Sequence, residues 1–291
     1  MASTPRIITR TIIGSRTLAA LQQGKPYTPV PFTTLNEALG IHANVMPTEG
    51  DTPRVRYYGI GMKGHVNRQG ADGGHYTQAV QHSPDDFGMY GQVPFLLRSP
   101  NDDLSPSERT NYALRKIITV NGENFIAYYL KRIPIDNEPV KMLHHTVIDG
   151  QTVSVPFVPD NSNLHPQPRD PASVGAITTN GTYLTTSSLM VIWFDANDVK
   201  NLIEVAKIMF GSAERALISE LALVAGSDRT LSITDPGQSA FNMVECVQAH
   251  ITTHITGLWP VAFQADGFKY QLDLGANEPL FGVATGGTVA P

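Results

Sequence analysis

A single cysteine, Cys246, in 291 residues excludes an internal disulfide. A chain this poor in thiols does not rely on oxidation and is expected to be made and folded in a reducing cytosol. Long apolar runs are missing as well: no stretch approaches the ~18–20 residues of a spanning helix. The opening MASTPRIITRTIIGSRT scatters arginines where a secretory leader would place a continuous apolar segment, so it is not read as a signal. Charge is sparse, the net value is -5, and the longest basic cluster is Lys131-Arg132. Nucleic-acid binders carry a basic face or run, and this sequence offers neither. A Gly-x-Ser-x-Gly elbow, a Walker loop and a Cys-x-x-Cys pair are all absent, which removes the commonest signatures of acyl transfer, phosphoryl transfer and thiol redox chemistry.

What the chain does have is turn chemistry. Its 25 glycines and 21 prolines favour many turns over long helices. The stretch Tyr112–Ile133 sets two runs of β-branched and aromatic residues around Asn121-Gly122. Both central residues of a type I′ turn need positive φ, which Asn and Gly tolerate best. A two-residue loop then pairs Val120 with Glu123, Ile118 with Phe125, Lys116 with Ala127 and Leu114 with Tyr129. Both faces of this hairpin are largely apolar, as in strands covered on two sides. Thr146–Val155 repeats the pattern around Asp149-Gly150.

Other strands are expected at Arg54–Ile60, Phe95–Arg98, Thr230–Thr234 and Phe241–Ile255; Ala216–Ala225, stopped by Gly226-Ser227-Asp228, allows strand or helix and is read as a strand able to pair with Thr230–Thr234. Leu189–Phe194 reads as a buried strand and Phe268–Leu274 as a half-exposed one. A short helical turn is expected at Leu18–Leu21 and a short helix at Thr33–Leu39 with Gly40 past its end. Ser105-Pro106-Ser107-Glu108 forms a capping box. The best helix is Asp198–Phe210, capped by Asp195 or Asn197 and ended by Gly211. The fold class is therefore α+β and mainly β, with antiparallel sheets or a β-sandwich, one good helix and long loops. Residues 1–30 read as an N-terminal arm and 31–291 as a single β-rich domain with long loops at 61–92 and 134–175. The small residues of 285–291 read as a loose tail.

Candidate chemistry is thin. Gly59-Ile60-Gly61-Met62-Lys63-Gly64 follows a strand and matches G-x-G-x-x-G, but HVNRQGADGGHY after it cannot be the helix a dinucleotide needs. A glycine-rich loop is the better reading. His250 and His254 share a strand face, and His144-His145 are adjacent. The threonines between His250 and His254 point to a polar, exposed strand surface rather than a metal site. Asp72, His75, His82, Asp85 and Asp86 gather acids and imidazoles around the glycine loop, in a pattern usual for solvated loops. Trp193, Tyr57 and Tyr58 sit in apolar runs and read as core. No catalytic, cofactor-binding or metal-ligating residue is assigned, and no cofactor is expected.

The segments RIITRTIIGSRTL, TLNEALGIHANV, RVRYYGIGMKGH, VPFLLR, YALRKIITVNGENFIAYYLKRI, VPFVPDNSNLHP, ISELALVAGSD, HITTHI and NEPLFGV together resemble virion structural proteins of tailed bacteriophages. The resemblance runs over most of the chain and implies an accessory tail or neck component, with a baseplate-wedge protein favoured. It implies a β-rich, non-enzymatic subunit of the virion, synthesised in the host bacterial cytoplasm. Such a subunit contacts other virion proteins and copies of itself as a homo-oligomer, without nucleic acid or membrane. Residues 1–30, 61–92 and 134–175 would then be segments gripped by neighbours. A second reading is a receptor- or carbohydrate-binding β-domain, such as a tail-fibre adaptor, using Tyr76, Phe87 and Tyr90. A third is a hydrolase using His75 and His82.

Overall fold

The computed structural model describes residues 7–27, 30–134, 139–166, 169–174, 181–236 and 239–283. In chain order the strands begin with β1 (Ile7–Arg10), β2 (Arg54–Gly61), β3 (His65–Gln69), β4 (His75–Ala79), β5 (Gln92–Val93), β6 (Leu96–Arg98), β7 (Tyr112–Val120) and β8 (Glu123–Arg132). They continue with β9 (Lys141–Ile148), β10 (Gln151–Pro156), β11 (Arg169–Val174), β12 (Gly181–Ser187), β13 (Leu189–Phe194), β14 (Leu217–Ile233), β15 (Phe241–Pro260), β16 (Phe268–Asp273), β17 (Ala276–Pro279) and β18 (Phe281–Val283). The α-helices are α1 (Ile12–Gln22), α2 (Leu35–Leu39), α3 (Pro106–Arg109) and α4 (Ala196–Phe210). The protein is thus mainly β, with antiparallel sheets and few helices.

The chain divides into two compact units where the sequence reading had one domain from residue 31. The first comprises Met1–Pro134 with Trp193–Lys269, the second Ile135–Ile192 with Tyr270–Pro291. The first holds an eight-stranded sheet of order β1-β15-β14-β2-β8-β6, with β5 beside β2 and β7 beside β8. The second holds the four-stranded sheet β10-β9-β12-β17 and the pair β11-β18.

Local chemistry explains the elements that came out as expected. In β7–β8 the register runs Val120↔Glu123, Ile118↔Phe125, Lys116↔Ala127 and Leu114↔Tyr129, and Asn121 and Gly122 take φ of 52° and 84°. In β9–β10, Gln151 faces Ile148 across Asp149 and Gly150, again both at positive φ. Thr34 and Glu37 close a capping box on α2, Ser105 and Glu108 another on α3, and Asp195 and Asp198 a third on α4. Gly40 and Gly211 end α2 and α4 in the left-handed region.

Other elements differ, each for a physical reason. Ala216–Ala225 and Thr230–Thr234 are one strand, β14, because a bulge between Ala225 and Ser227 absorbs the expected stop. Gly226 sits there because a methyl group would strike the Cys246 sulfur. Residues 7–22 are not a free arm. β1 pairs with β15, and Ile12 and Ile13 open an eleven-residue helix rather than extending a strand. Thr11 caps that helix through the Gly14 N–H at 2.9 Å and donates to the Ile251 carbonyl at 2.7 Å. The segment 61–92 contains β3 and β4, and 134–175 contains β9, β10 and β11, so neither is a loop throughout. β13 alternates rather than being buried: Trp193 is about half exposed, with the Lys269 Nζ 3.6 Å from its ring centre. The expected tail at 285–291 lies outside the described residues.

The core of the first unit gathers Leu35, Tyr57, Leu114, Leu130, Val224, Ile251 and the Cys246 side chain around β2, β8, β14 and β15. Tyr58 meets Phe95 and Phe194 edge-on at 5.2 and 5.8 Å, a favoured geometry for aromatic pairs.

Candidate functional site

The G-x-G-x-x-G segment has a structural cause. β2 runs antiparallel to β14 and places Gly61 opposite Glu220. Glu220 is fully buried, and its side chain occupies the space beside Gly61 and Gly64. A methyl group at Gly61 would overlap the carboxylate, and one at Gly64 would lie 3.1 Å from its carbon. These glycines are small to admit a protein carboxylate, and β3 follows them where a dinucleotide site requires a helix.

Every oxygen of Glu220 is engaged. Oε1 accepts the Gly91 N–H at 2.9 Å, and Oε2 accepts the Tyr90 N–H at 3.1 Å and faces His82 Nε2 at 2.7 Å. The other ring nitrogen of His82 lies 2.9 Å from Asp86 Oδ2. The buried imidazole is therefore clamped between two carboxylates and stacked between two rings, His254 at 3.7 Å and Tyr90 at 4.3 Å. His254 Nε2 lies 3.0 Å from the Asp86 carbonyl and must be the donor there, which leaves Nδ1 as an acceptor with no partner. Burial, and secondarily the charge of His82, push the His254 imidazole down to about 4. For Asp86, burial raises the carboxyl, but hydrogen bonds from the Ser83 N–H and His82 outweigh it and leave it below the usual carboxylate range. An imidazole with both nitrogens held, against a carboxylate with both oxygens held, has no free atom to offer a substrate. The His82–Glu220 pair fastens structure, and the unpartnered acceptor beside it is the buried His254 Nδ1.

What it fastens is a ribbon. Val80 donates to the Gly64 carbonyl at 2.9 Å and closes the base of the β3–β4 hairpin, whose far end turns through Gly70–Gly74 with Gly73 at φ 81°. From Val66 to Gln78 nearly every residue is exposed, including Val66 and Tyr76. A two-stranded ribbon bare on both faces is marginal by itself. Here Glu220 and His82 hold its root.

The candidate residues read from the sequence are distributed differently from the pattern along the chain. His82, Asp85 and Asp86 come together at the root, whereas Asp72 and His75 lie exposed at the tip. Asp72 accepts the Gly74 N–H at 3.0 Å. His250 and His254 are completely buried, which corrects the expectation of an exposed strand face. His250 sits between Thr17 Oγ1 and the Tyr27 hydroxyl, each at 3.0 Å, and burial lowers its affinity for a proton. His145 lies between Ser154 and Thr185 at 2.7 and 2.8 Å and stacks on Tyr183. Tyr90 is committed to His82, Phe87 is half-buried, and Tyr76 stands on the open ribbon.

Sequence reasoning missed the two central acids. Glu220 and Glu245 are each fully buried. Glu245 accepts the Arg115 N–H at 2.7 Å and lies 2.6 Å from His42 Nε2, a hydrogen bond that raises the His42 imidazole despite partial burial. The available signal was a lone carboxylate in an otherwise apolar strand, ISELALVA for one and MVECV for the other. Isolated buried acids require paired partners, so each implied a cation or several N–H groups from elsewhere in the chain.

The first unit also has an open cleft of ≈ 400 Å³ lined by Arg98, Glu108, Tyr112, Lys131, Asp195 and Asp198. Its Lys131 is closed onto Asp198 at 2.7 and 2.5 Å. No curated protein and no solved structure matches the chain. Residues 1–287 match a family of unknown function, DUF7208, and the chain belongs to that family.

Proposed function

We propose that this chain is a structural subunit of a tailed-phage virion, in the tail baseplate or neck, which works through protein–protein contacts in a symmetric assembly and performs no chemistry. The observation that carries the reading is the β3–β4 ribbon, bare on both faces yet fastened at its root by buried Glu220 and His82. Holding a charged side chain in the interior is costly unless it is paired and hydrogen-bonded. A buried clasp under a solvent-exposed ribbon suits a projection that a neighbouring subunit grips. The resemblance of nine segments to tail and neck proteins supports the same reading.

The test is a shortened ribbon. Replacing residues 66–78 by a short Gly-Ser turn keeps the clasp and should leave the fold intact by circular dichroism. The expected result is that the full-length chain is found by mass spectrometry in purified phage particles and the shortened chain is not. Full incorporation of the shortened chain would remove the ribbon from the assembly role. Absence of the wild-type chain from particles would overturn the virion reading itself.

A further inference from the structure

The second unit exposes a sheet edge that is free of the usual obstacles to pairing. β10 (Gln151–Pro156) ends the order β10-β9-β12-β17, and all six of its residues are exposed. Natural edge strands are commonly protected by charges, bulges or prolines along their length. β10 reads QTVSVP: it has no charged residue, its pairing with β9 is regular, and its only proline is the last residue.

The phase of its hydrogen bonds follows from the turn. A two-residue turn makes the flanking residues, Ile148 and Gln151, a hydrogen-bonded pair, and such pairs alternate along the ladder. Phe157 donating to the Met142 carbonyl at 2.9 Å confirms the phase. Gln151, Val153 and Val155 therefore bond inward to β9, while Thr152 and Ser154 aim their N–H and C=O groups outward. Cross-strand partners share a face, so Val153 and Val155 lie with Thr146 and His144 on one side of the sheet. Met142 and Ile148 share that side, and Met142, Ile148, Val153 and Val155 are all exposed. The unit has few covered side chains to offset this. Its buried apolar residues are Val147, Met190, Ile192, Tyr270 and Leu272 among those described.

We propose that β10 is the strand through which two copies of this chain join edge to edge, antiparallel, about a two-fold axis at Val153. This rests on the assembly reading above and names the partner and the register. In this register Thr152 of each copy exchanges both hydrogen bonds with Ser154 of the other, four bonds in all, and Pro156 is not asked for an N–H it lacks. Centring the axis on Ser154 would set Thr152 opposite Pro156 and leave a carbonyl of each copy without its donor. Centring it on Val153 also makes Val153 face its own counterpart as a non-hydrogen-bonded pair, the closest kind. Because residues of like parity meet, the apolar stripe continues from one copy into the next. No charge meets a like charge within the paired strands, although the chain as a whole carries a net -5.

The test uses the full-length protein with one new thiol. Cys246 is buried and does not compete. Val153→Cys, oxidised with copper phenanthroline, should give a covalent dimer in good yield. Val155→Cys should not, because its counterpart lies four residues away along the partner strand. Sedimentation of the thiol-free contacts is probed separately with Val153→Lys, which should lower the dimer fraction at least tenfold at equal protein concentration. Its exposed side chain leaves the monomer fold unperturbed by circular dichroism. A wild-type monomer at ~100 μM would overturn the proposal. So would association unaffected by Val153→Lys, or equal cross-linking from positions 153 and 155. The last two results would leave the virion reading standing, since copies would then meet through another surface.

Discussion

At the scale of single residues, Glu220 is a fully buried carboxylate on which three partners converge. Replacing it with Ala would strand two backbone N–H groups and the His82 imidazole in the interior. The expected loss is roughly 3–5 kcal/mol, measured by urea unfolding, with a smaller loss for Glu220→Gln, whose amide oxygen still accepts. Gly61→Ala should cost about 1–3 kcal/mol through overlap with the same carboxylate. His254 provides a pH dependence of definite sign. Its folded-state affinity for protons lies near 4 against an ordinary 6.5, so between those values the unfolded chain binds more protons. Stability should therefore fall as pH drops from about 6.5 to about 4, by on the order of 3 kcal/mol. Asp86 adds a loss of the same sign at lower pH, since its carboxyl is depressed. His42 works in the opposite direction: its raised imidazole stabilises fully below the ordinary histidine range and loses that contribution as pH climbs through the folded value. Urea unfolding at a series of pH values should show the acid limb flattened in His254→Phe.

At the scale of elements, short-range chemistry and long-range pairing were unequally legible. The Asn121-Gly122 and Asp149-Gly150 hairpins, the Ser105–Glu108 capping box, a cap at Asp195 and the Gly40 and Gly211 stops could be read because each is decided within a few residues. The unity of β14 could not, because its apparent stop is absorbed by pairing with β15, whose nearest residue there is Val247. Nor could the clasp, whose members His82, Glu220 and His254 are brought together only by the antiparallel sheet. The histidines of β15 were misread as exposed for the same reason: Thr17, Tyr27 and Asp86 cover them from distant parts of the chain. Turn chemistry has a measurable consequence. Gly122 sits at φ 84°, so Gly122→Ala should destabilise β7–β8 by about 1 kcal/mol, whereas Asn121→Gly should be nearly neutral. Chemical denaturation of the two variants separates these outcomes.

At the scale of the whole molecule, the two units differ in how much they bury. The first surrounds β14 and β15 with a dense apolar core, while among the described residues of the second a handful of apolar side chains are covered and β10 is entirely exposed. Small cores give small stabilities. Hydrogen exchange on the free protein should therefore find the amides of β9, β10 and β12 less protected than those of β2, β14 and β15. Protection in β10 should rise with protein concentration if copies pair through it.

The buried sulfur of Cys246 adds a practical consequence. Desolvation drives its thiol well above its usual range, and the side chain is sealed between Gly226 and the neighbouring core. The chain thus comes with a silent label whose alkylation waits for the sheet to part. Its rate of reaction with iodoacetamide, set against that of a free thiol, gives the population in which the central strands have opened. Any subunit contact that steadies those strands should slow that reaction.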